Sequence, residues 1–170
     1  MLPKGSFSAG RVVLAALLVS LAGPARAGDR VKRVALSGWD AAAVERAREG
    51  AARRLETPAC QRVFTDFKDG AGRTLQQNLD EWGMSHADYL RLIPFIDGSR
   101  EPLCRKTHTA LVAVPGVRRV MVCAAFADHQ LKEPGVAESM VIHEILHTLG
   151  LGENPPTSIE ITQRVEARCR

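Results

Sequence analysis

The part of the chain that follows residue 27 begins with segments whose composition and apolar spacing are typical of helices. Four such segments can be distinguished: 40–55, 58–67, 74–82 and 85–92. The first has a polar outer face and predicts a helix with Asp40 as its N-cap. Ser85 is expected to cap the last one, and Pro94 to stop it. The segment 58–67 is ambiguous despite its helical spacing.

The pattern changes to short apolar runs in the middle of the chain. Residues 109–114 (TALVAV) and 117–123 (VRRVMVC) are rich in β-forming residues, and Pro115-Gly116 separates them. A Pro-Gly pair between two apolar runs predicts a tight β-hairpin. After a short loop, residues 136–149 are almost continuously apolar. They predict a buried helix that ends at the glycines directly after it.

A short helix is expected at the C-terminus. Thr157 and Glu160 have the spacing of a capping box, which predicts a helix that begins there and runs to about Cys169. The whole pattern predicts a small α+β fold, formed as a single domain over 28–170. N-terminal helices come first, followed by the β-hairpin, the buried helix and this C-terminal helix.

The first 27 residues have the features of a secretory signal peptide. Lys4 and Arg11 give a positive start, and residues 12–23 are uncharged and mostly apolar. Residues 25–27 (ARA) have the small-x-small pattern of a cleavage site. The apolar run is shorter than the ~20 residues that a membrane span needs, and no later run comes close. We therefore expect a signal peptide over 1–27 and a secreted or periplasmic protein.

Removal of that segment changes the charge balance. The full chain has 23 Lys+Arg and 19 Asp+Glu, and Lys4, Arg11 and Arg26 lie in the signal segment. The rest of the chain then carries 23 − 3 = 20 basic and 19 acidic residues, a net charge of +1. This balance gives no indication of binding to nucleic acid or to an anionic membrane surface.

The four cysteines, Cys60, Cys104, Cys123 and Cys169, all follow the signal segment. An even number in an exported chain predicts two disulfides, for which three pairings are possible. We favour Cys104–Cys123, because the hairpin between them brings their neighbourhoods together, and this leaves Cys60–Cys169. A four-cysteine zinc site is the rival interpretation, but the sequence contains no CxxC pair.

The chemistry is concentrated on the buried helix, within the sequence HEILHTLGLGE over 143–153. His143 and His147 are four residues apart, so on a helix they lie on one face and can bind one metal ion. Glu144 lies beside them, where it can accept a proton from a zinc-activated water. Water, metal and base are the minimum set for amide hydrolysis without a covalent intermediate.

This stretch resembles the zincin metallopeptidases, whose signature is HExxH. It is also similar to the longer metzincin signature, HExxHxxGxxH, as far as Gly150. In metzincins this glycine lets the helix turn, and the residue three positions later is the third zinc ligand. That residue is Glu153 here, and small secreted zincins of the snapalysin type also have an acidic residue at this position. The methionine turn of metzincins has no counterpart, since the last methionine is Met140.

The resemblance implies that His143, His147 and Glu153 hold zinc and that Glu144 is the catalytic base. Spacing alone leaves other third ligands open. Glu166 follows His147 at nearly the spacing of thermolysin-like enzymes. The remaining alternatives are Glu160, for which a capping role competes, His108 and His129.

The predicted function is hydrolysis of peptide bonds in a peptide or protein substrate outside the cytoplasm. One alternative is a secreted zinc-binding or inhibitory module without turnover. The other is a disulfide-stabilised envelope protein without metal, in which His143 and His147 are ordinary core histidines. Two histidines and a glutamate on one buried helix are costly without partners, which favours the metal.

Two further features have both a structural and a functional interpretation. Tyr89, the only tyrosine, could stabilise an oxyanion, although packing with its hydroxyl at the surface is the simpler expectation. The predicted hairpin could present a strand edge that binds the substrate backbone, or it could only cover the core.

Overall fold

The computed structural model describes residues 36–106 and 109–170, all of which belong to one compact unit. The predicted signal peptide over 1–27 lies outside the described residues. The helices are α1 (Gly38–Leu55), α2 (Pro58–Gln61), α3 (Val63–Asp66), α4 (Leu75–Asp80), α5 (His86–Leu92), α6 (Pro102–Lys106), α7 (Phe126–Lys132), α8 (Pro134–Thr148) and α9 (Ser158–Arg168). The strands are β1 (Phe95–Asp97), β2 (Leu111–Ala113) and β3 (Val120–Val122). The prediction of a small α+β fold is confirmed.

Short polar side chains begin the predicted helices. Ser85 caps α5 as predicted, and Thr157 and Glu160 form the predicted capping box of α9. The first helix begins earlier than predicted, because Ser37 is its N-cap and accepts a hydrogen bond from the amide of Asp40. Asp40 lies in the first turn, where a carboxylate interacts favourably with the helix dipole. The prediction of Asp40 as the N-cap was therefore wrong, because the helix begins three residues earlier.

The three strands form one small sheet in the order β1-β3-β2. β2 and β3 pair antiparallel and confirm the predicted hairpin, but its connection is longer than the tight turn that was predicted, because the pairing begins at Ala113 and Val120. In the turn between them Gly116 has a φ of 75°, which the third residue of a type II Pro-Gly turn requires. β1 pairs in parallel with β3 and was not predicted. β1 is only three residues long and directly follows Pro94, so the sequence shows no period there. Its partner strand β3 begins more than twenty residues later.

The segment before the buried helix is helical, and the expected loop at this position was wrong. Its helix α7 has no side-chain cap at Ala125, so the sequence carries no start signal there. α7 packs against α1 and α8, and it places His129 on a helix. The ambiguous segment 58–67 forms the two short helices α2 and α3.

The buried helix α8 is the centre of the fold and packs against α1, α7, α9 and β2. Two disulfides hold the elements around it and confirm the predicted pairing, with Cys60–Cys169 at an S–S distance of 2.02 Å and Cys104–Cys123 at 1.94 Å. Both pairs use all four cysteines, so none is left for a zinc site. Among the described helices, none has the length and apolarity needed to cross a membrane.

Candidate metal centre

Three side chains converge at the C-terminal end of α8. The Nε2 atoms of His143 and His147 are 3.1 Å apart. The Oε1 atom of Glu153 lies 3.8 Å from the first nitrogen and 3.3 Å from the second. Tetrahedral zinc with ligand bonds of about 2.0–2.1 Å requires ligand atoms about 3.3 Å from one another. The three atoms therefore have the spacing of a zinc ligand set, and they form a group that could hold a metal ion.

The outer nitrogen of each histidine is held by a partner. Nδ1 of His147 lies 2.7 Å from the carbonyl oxygen of Leu151, and Nδ1 of His143 lies 3.0 Å from Oγ1 of Thr162 on α9. A carbonyl oxygen only accepts, so the Nδ1 of His147 carries the proton and its Nε2 offers a lone pair. Such outer partners fix the ring and the tautomer of metal-binding histidines. Sequence reasoning missed Thr162, for which the pattern of the chain contains no signal.

The end of α8 is shaped by a Schellman motif. The amide of Gly150 donates to the carbonyl of His147 over 2.8 Å, and the amide of Leu151 donates to that of Leu146 over 3.2 Å. Gly150 has a φ of 105°, and an added Cβ would lie 3.1 Å from the Cβ of Asp69. This turn brings the carbonyl of Leu151 back onto the ring of His147, so one glycine positions a ligand of the centre.

Gly150→Ala is expected to destabilise the protein by about 1–2 kcal/mol, the cost of a side chain in this region of φ. It should also weaken metal binding, because the displaced Leu151 carbonyl no longer orients His147. Gly152→Ala is the matched control, since a Cβ there meets nothing within 4 Å. Urea unfolding and a zinc titration of both variants measure the two effects. Equal losses in the two variants would contradict the assigned role of Gly150.

This turn is supported by Asp69, in the loop before α4, and by Asn78, on α4. Nδ2 of Asn78 donates to the carbonyl oxygen of Leu149 over 3.0 Å and to the carboxylate of Asp69 over 2.9 Å. The same carboxylate accepts the backbone amides of Ala71 and Arg73. These bonds lower the pKa of Asp69, led by the one from Asn78, so the carboxylate stays charged. Asn78 and Asp69 therefore hold the turn that leads from His147 to Glu153.

Glu144 lies against the hairpin. The amide of Ala113 in β2 donates to Oε2 of Glu144 over 2.6 Å. One turn further along α8, the amide of Gly116 donates to the carbonyl of His147 over 2.9 Å. The hairpin is thus attached to the helix at two points, and the edge of β2 lies directly beside the predicted base.

Burial controls the protonation of the centre. Burial, with a smaller contribution from His147, lowers the pKa of His143 to about 4, which keeps its ring neutral at pH 7. Burial raises the pKa of Glu144 from 4.5 to about 8; the bond from Ala113 opposes the rise and the charge of Glu153 adds to it. A cation between the ligands would lower the pKa of Glu144 again, because it stabilises the carboxylate.

Without metal, the titration of Glu144 should make stability depend on pH. Because its pKa is raised to about 8, the folded protein keeps a proton that the unfolded chain loses above 4.5. The free energy of unfolding should therefore fall as the pH rises from about 5 to about 8. Glu144→Gln removes this titration, whereas His143 titrates in both proteins. Urea unfolding of both metal-stripped proteins should show the variant gaining relative stability towards pH 8; a constant difference would contradict the raised pKa.

The other predicted ligands lie elsewhere. Glu160 caps α9, where its carboxylate accepts the amide of Thr157 over 2.7 Å. Glu166 and His129 line the neighbouring cavity but are not part of the metal-ligating group. His108 lies outside the described residues.

Tyr89 is fully enclosed, and the expectation that its hydroxyl lies at the surface was wrong. Only 2% of the residue is exposed, and its hydroxyl lies 2.9 Å from the hydroxyl of Thr148. Trp82 stacks on its ring at a centroid distance of 5.5 Å. Tyr89 does not line the cavity among the described residues, so it has a packing role behind α8.

A cavity of about 670 Å³ opens in front of the centre. Its floor is α8, and β2 and α9 form its walls. The described residues that line it are Leu103, Thr109, Ala110, Leu111, Val112, Ala113, Val114, Pro115, His129, Val136, Ser139, Met140, His143, Glu144, His147, Glu153, Ser158, Thr162 and Glu166. The metal-ligating group, the predicted base and a strand edge therefore share one accessible space.

Comparison with known proteins found no relative of this chain. No protein-family model matches the chain, and neither the curated proteins nor the solved structures contain a significant match.

Proposed function

We propose that this protein is a secreted zinc-dependent metallopeptidase of the zincin type. The observation that carries the proposal is the convergence of the His143 and His147 Nε2 atoms with the Glu153 carboxylate at zinc-ligand spacing. Glu144 follows the first ligand and lies against an open strand edge in the same cavity. Metal ligands, base and peptide-binding edge are the parts that hydrolysis of a peptide bond requires.

The donor set favours zinc with an open coordination position. Two imidazoles and one carboxylate are the ligands of well-known catalytic zinc sites, which keep a fourth position for water or substrate. A bound zinc ion supplies a Lewis acid and lowers the pKa of water towards neutrality. Only 7% of His143 and 4% of His147 are exposed, whereas the side chain of Glu153 is 40% exposed and faces the opening. A metal ion held by these three side chains would therefore be reached from the cavity.

Glu144 is proposed to act as the general base. Its Oε2 accepts the amide of Ala113, which leaves Oε1 to take a proton from the attacking water. The same oxygen would then pass this proton to the nitrogen of the departing amine. A cation held by the ligands would lower the raised pKa of Glu144 towards the working pH, where a carboxyl group exchanges protons in both directions efficiently.

The edge of β2 is proposed to bind the substrate backbone. The amide of Cys123 donates to the carbonyl of Ala110 over 2.9 Å, so alternate residues of β2 bond to β3. The amides and carbonyls of Leu111 and Ala113 consequently point away from β3, as the bond from Ala113 to Glu144 shows. The amide of Ala113 already donates to Glu144, and the carbonyl of Leu111 accepts the hydroxyl of Thr109. An extended peptide would therefore pair by β-augmentation with the amide of Leu111 and the carbonyl of Ala113, with one of its own carbonyls beside the metal-ligating group.

Secretion is supported by the two disulfides and the predicted signal peptide. Disulfides persist in oxidising compartments and are rare in the cytosol. Both predicted disulfides are present in the structure. The proposed substrate is therefore a peptide or protein outside the cytoplasm.

Digestion of a complex peptide mixture by the purified, oxidised protein tests the function. We expect new termini in the mass spectrum that disappear when a chelator removes the metal and return when zinc is added. A protein that binds zinc but leaves all peptides intact would overturn the peptidase proposal in favour of a non-catalytic zinc-binding module.

A further inference from the structure

The cavity continues beyond the metal-ligating group, between α8 and α9. Thr162 on α9 contacts His143 on α8, at an Oγ1–Nδ1 distance of 3.0 Å. Arg54 connects the other ends of the two helices, since it donates to the carboxylate of Glu138 and to the carbonyl of Cys169. The C-terminal end of α9 therefore lies beside the N-terminal half of α8, and the helices run antiparallel.

This arrangement places Glu166 at the far end of the cavity. Glu166 follows Thr162 by one helical turn on the same face of α9, a step of about 6 Å. Ser139 precedes His143 by one turn on α8. Because the two helices are antiparallel and Thr162 contacts His143, Ser139 and Glu166 lie at the same level along them. Both line the cavity, as does Met140 beside Ser139.

Among the described residues that line the cavity, Glu166 is the one carboxylate that neither the metal-ligating group nor the proposed mechanism uses. No hydrogen bond or ion pair involves its side chain among the described residues. Acidic residues nearby do have partners: Asp66 pairs with Arg168, and Glu138 with Arg54. No Lys or Arg occurs among the described residues that line the cavity. The far end therefore combines apolar walls with one half-buried, unpaired carboxylate.

We propose that Glu166 binds the cationic side chain of a Lys or Arg residue in the substrate, next to the cleaved bond; this rests on the proposed peptidase function. The long apolar stems of these side chains can cover Val136 and Met140 while their charged ends reach about 6 Å along the cavity. A charge-assisted hydrogen bond in a partly enclosed site is strong and selective.

The direction of the edge strand identifies the substrate position. Ala113 lies at the end of β2 beside Glu144, and Ala110 precedes the strand at the opposite end. Ala113 bonds to Glu144 and Gly116 to His147, so β2 runs in the same direction as α8 and its Ala110 end lies towards Ser139 at the far end of the cavity. A peptide that pairs antiparallel with β2, as β3 does on the other edge, runs from the metal-ligating group towards that end. The side chain that enters the far end of the cavity therefore belongs to the residue that follows the cleaved bond.

Peptides that differ only at this position test the proposal. Lysine, its uncharged analogue norleucine, and glutamate are compared through kcat/KM in the parent and in Glu166→Gln. We expect the parent to prefer lysine over norleucine by about 10- to 100-fold, and the preference to fall at least tenfold in Glu166→Gln. Glu166→Arg should reverse it towards glutamate. Glu49→Gln, an exposed substitution on α1, should keep the preference of the parent.

Binding measurements separate this proposal from the function on which it rests. Glu144→Gln, with and without Glu166→Gln, is titrated with the same peptides by fluorescence anisotropy. Tighter binding of the lysine peptide that requires Glu166 supports the proposal. If the parent protein then hydrolyses none of these peptides, the peptidase function alone is overturned. Equal affinities for lysine and norleucine, or an unchanged preference in Glu166→Gln, would overturn the role of Glu166 while leaving peptidase activity intact.

Discussion

Glu144→Gln is expected to reduce peptide hydrolysis by about 10²- to 10⁴-fold, the usual contribution of a general base. Glutamine has the same shape, and its carbonyl oxygen can still accept the amide of Ala113 that lies 2.6 Å from Oε2. It cannot accept the proton of the attacking water. The loss should appear in kcat and kcat/KM alike, since proton transfer belongs to the transition state and not to substrate binding.

The metal content and fold of this variant distinguish a lost base from a damaged site. Because Glu144 is not in the metal-ligating group, Glu144→Gln should bind as much zinc as the parent, measured by elemental analysis. Glu49→Gln, which replaces an exposed glutamate on α1, should hydrolyse peptides at the rate of the parent. Full activity of Glu144→Gln would show that another group activates the water, and the role proposed for Glu144 would be wrong.

Features that depend on neighbouring residues were predictable from the sequence. The caps of α5 and α9 and the Pro115-Gly116 turn follow from a few adjacent side chains. The disulfide Cys104–Cys123 followed from the hairpin between its two cysteines. Each of these involves short-range geometry that particular residue types favour.

Features that depend on distant segments were not predictable. β1 is three residues long, and its parallel partner β3 lies beyond α6 and β2. α7 begins without a side-chain cap. Local periodicity in a sequence indicates neither the pairing of two distant parallel strands nor a helix start without a capping side chain. β1 and α7 are therefore evident only in the structure.

The candidate site shows the same division. The spacing of His143 and His147 on one helix places their rings on one face, and this needs no tertiary information. Thr162 and Ala113 hold the first ring and the predicted base from α9 and β2, at sequence separations of 19 and 31 residues. No pattern within the motif identifies such partners. They depend on how α8 packs against its neighbours.

The role of Glu153 was only partly predictable from the sequence. Its spacing after His147 was informative through the resemblance to zincins, but Glu160 and Glu166 remained open as alternatives. The structure separates them through the backbone, because the turn at Gly150 and the left-handed φ of 65° at Asn154 bracket Glu153. Asparagine tolerates this conformation better than most residues. Backbone geometry that spacing cannot supply therefore brings this carboxylate to the two imidazoles.

His143→Ala/His147→Ala is expected to abolish metal binding, with about one zinc per chain in the parent and none in the variant. The parent should also unfold at higher urea concentration when zinc is added, because a ligand that binds only the folded state stabilises it. That gain should disappear in the double variant. Loss of both imidazoles removes two of the three ligands, and a single carboxylate does not retain zinc at neutral pH.

His129→Ala is the matched control for this variant. His129 lines the same cavity but lies outside the metal-ligating group, so its removal should leave the zinc content unchanged. Thr162→Val tests the partner of His143: it keeps the shape of the side chain and should weaken zinc affinity by about 10- to 100-fold. Competition with a chromogenic chelator measures all three variants. Zinc retained by the double variant, or lost with His129, would place the metal elsewhere in the cavity and overturn the ligand set on which the proposed function depends.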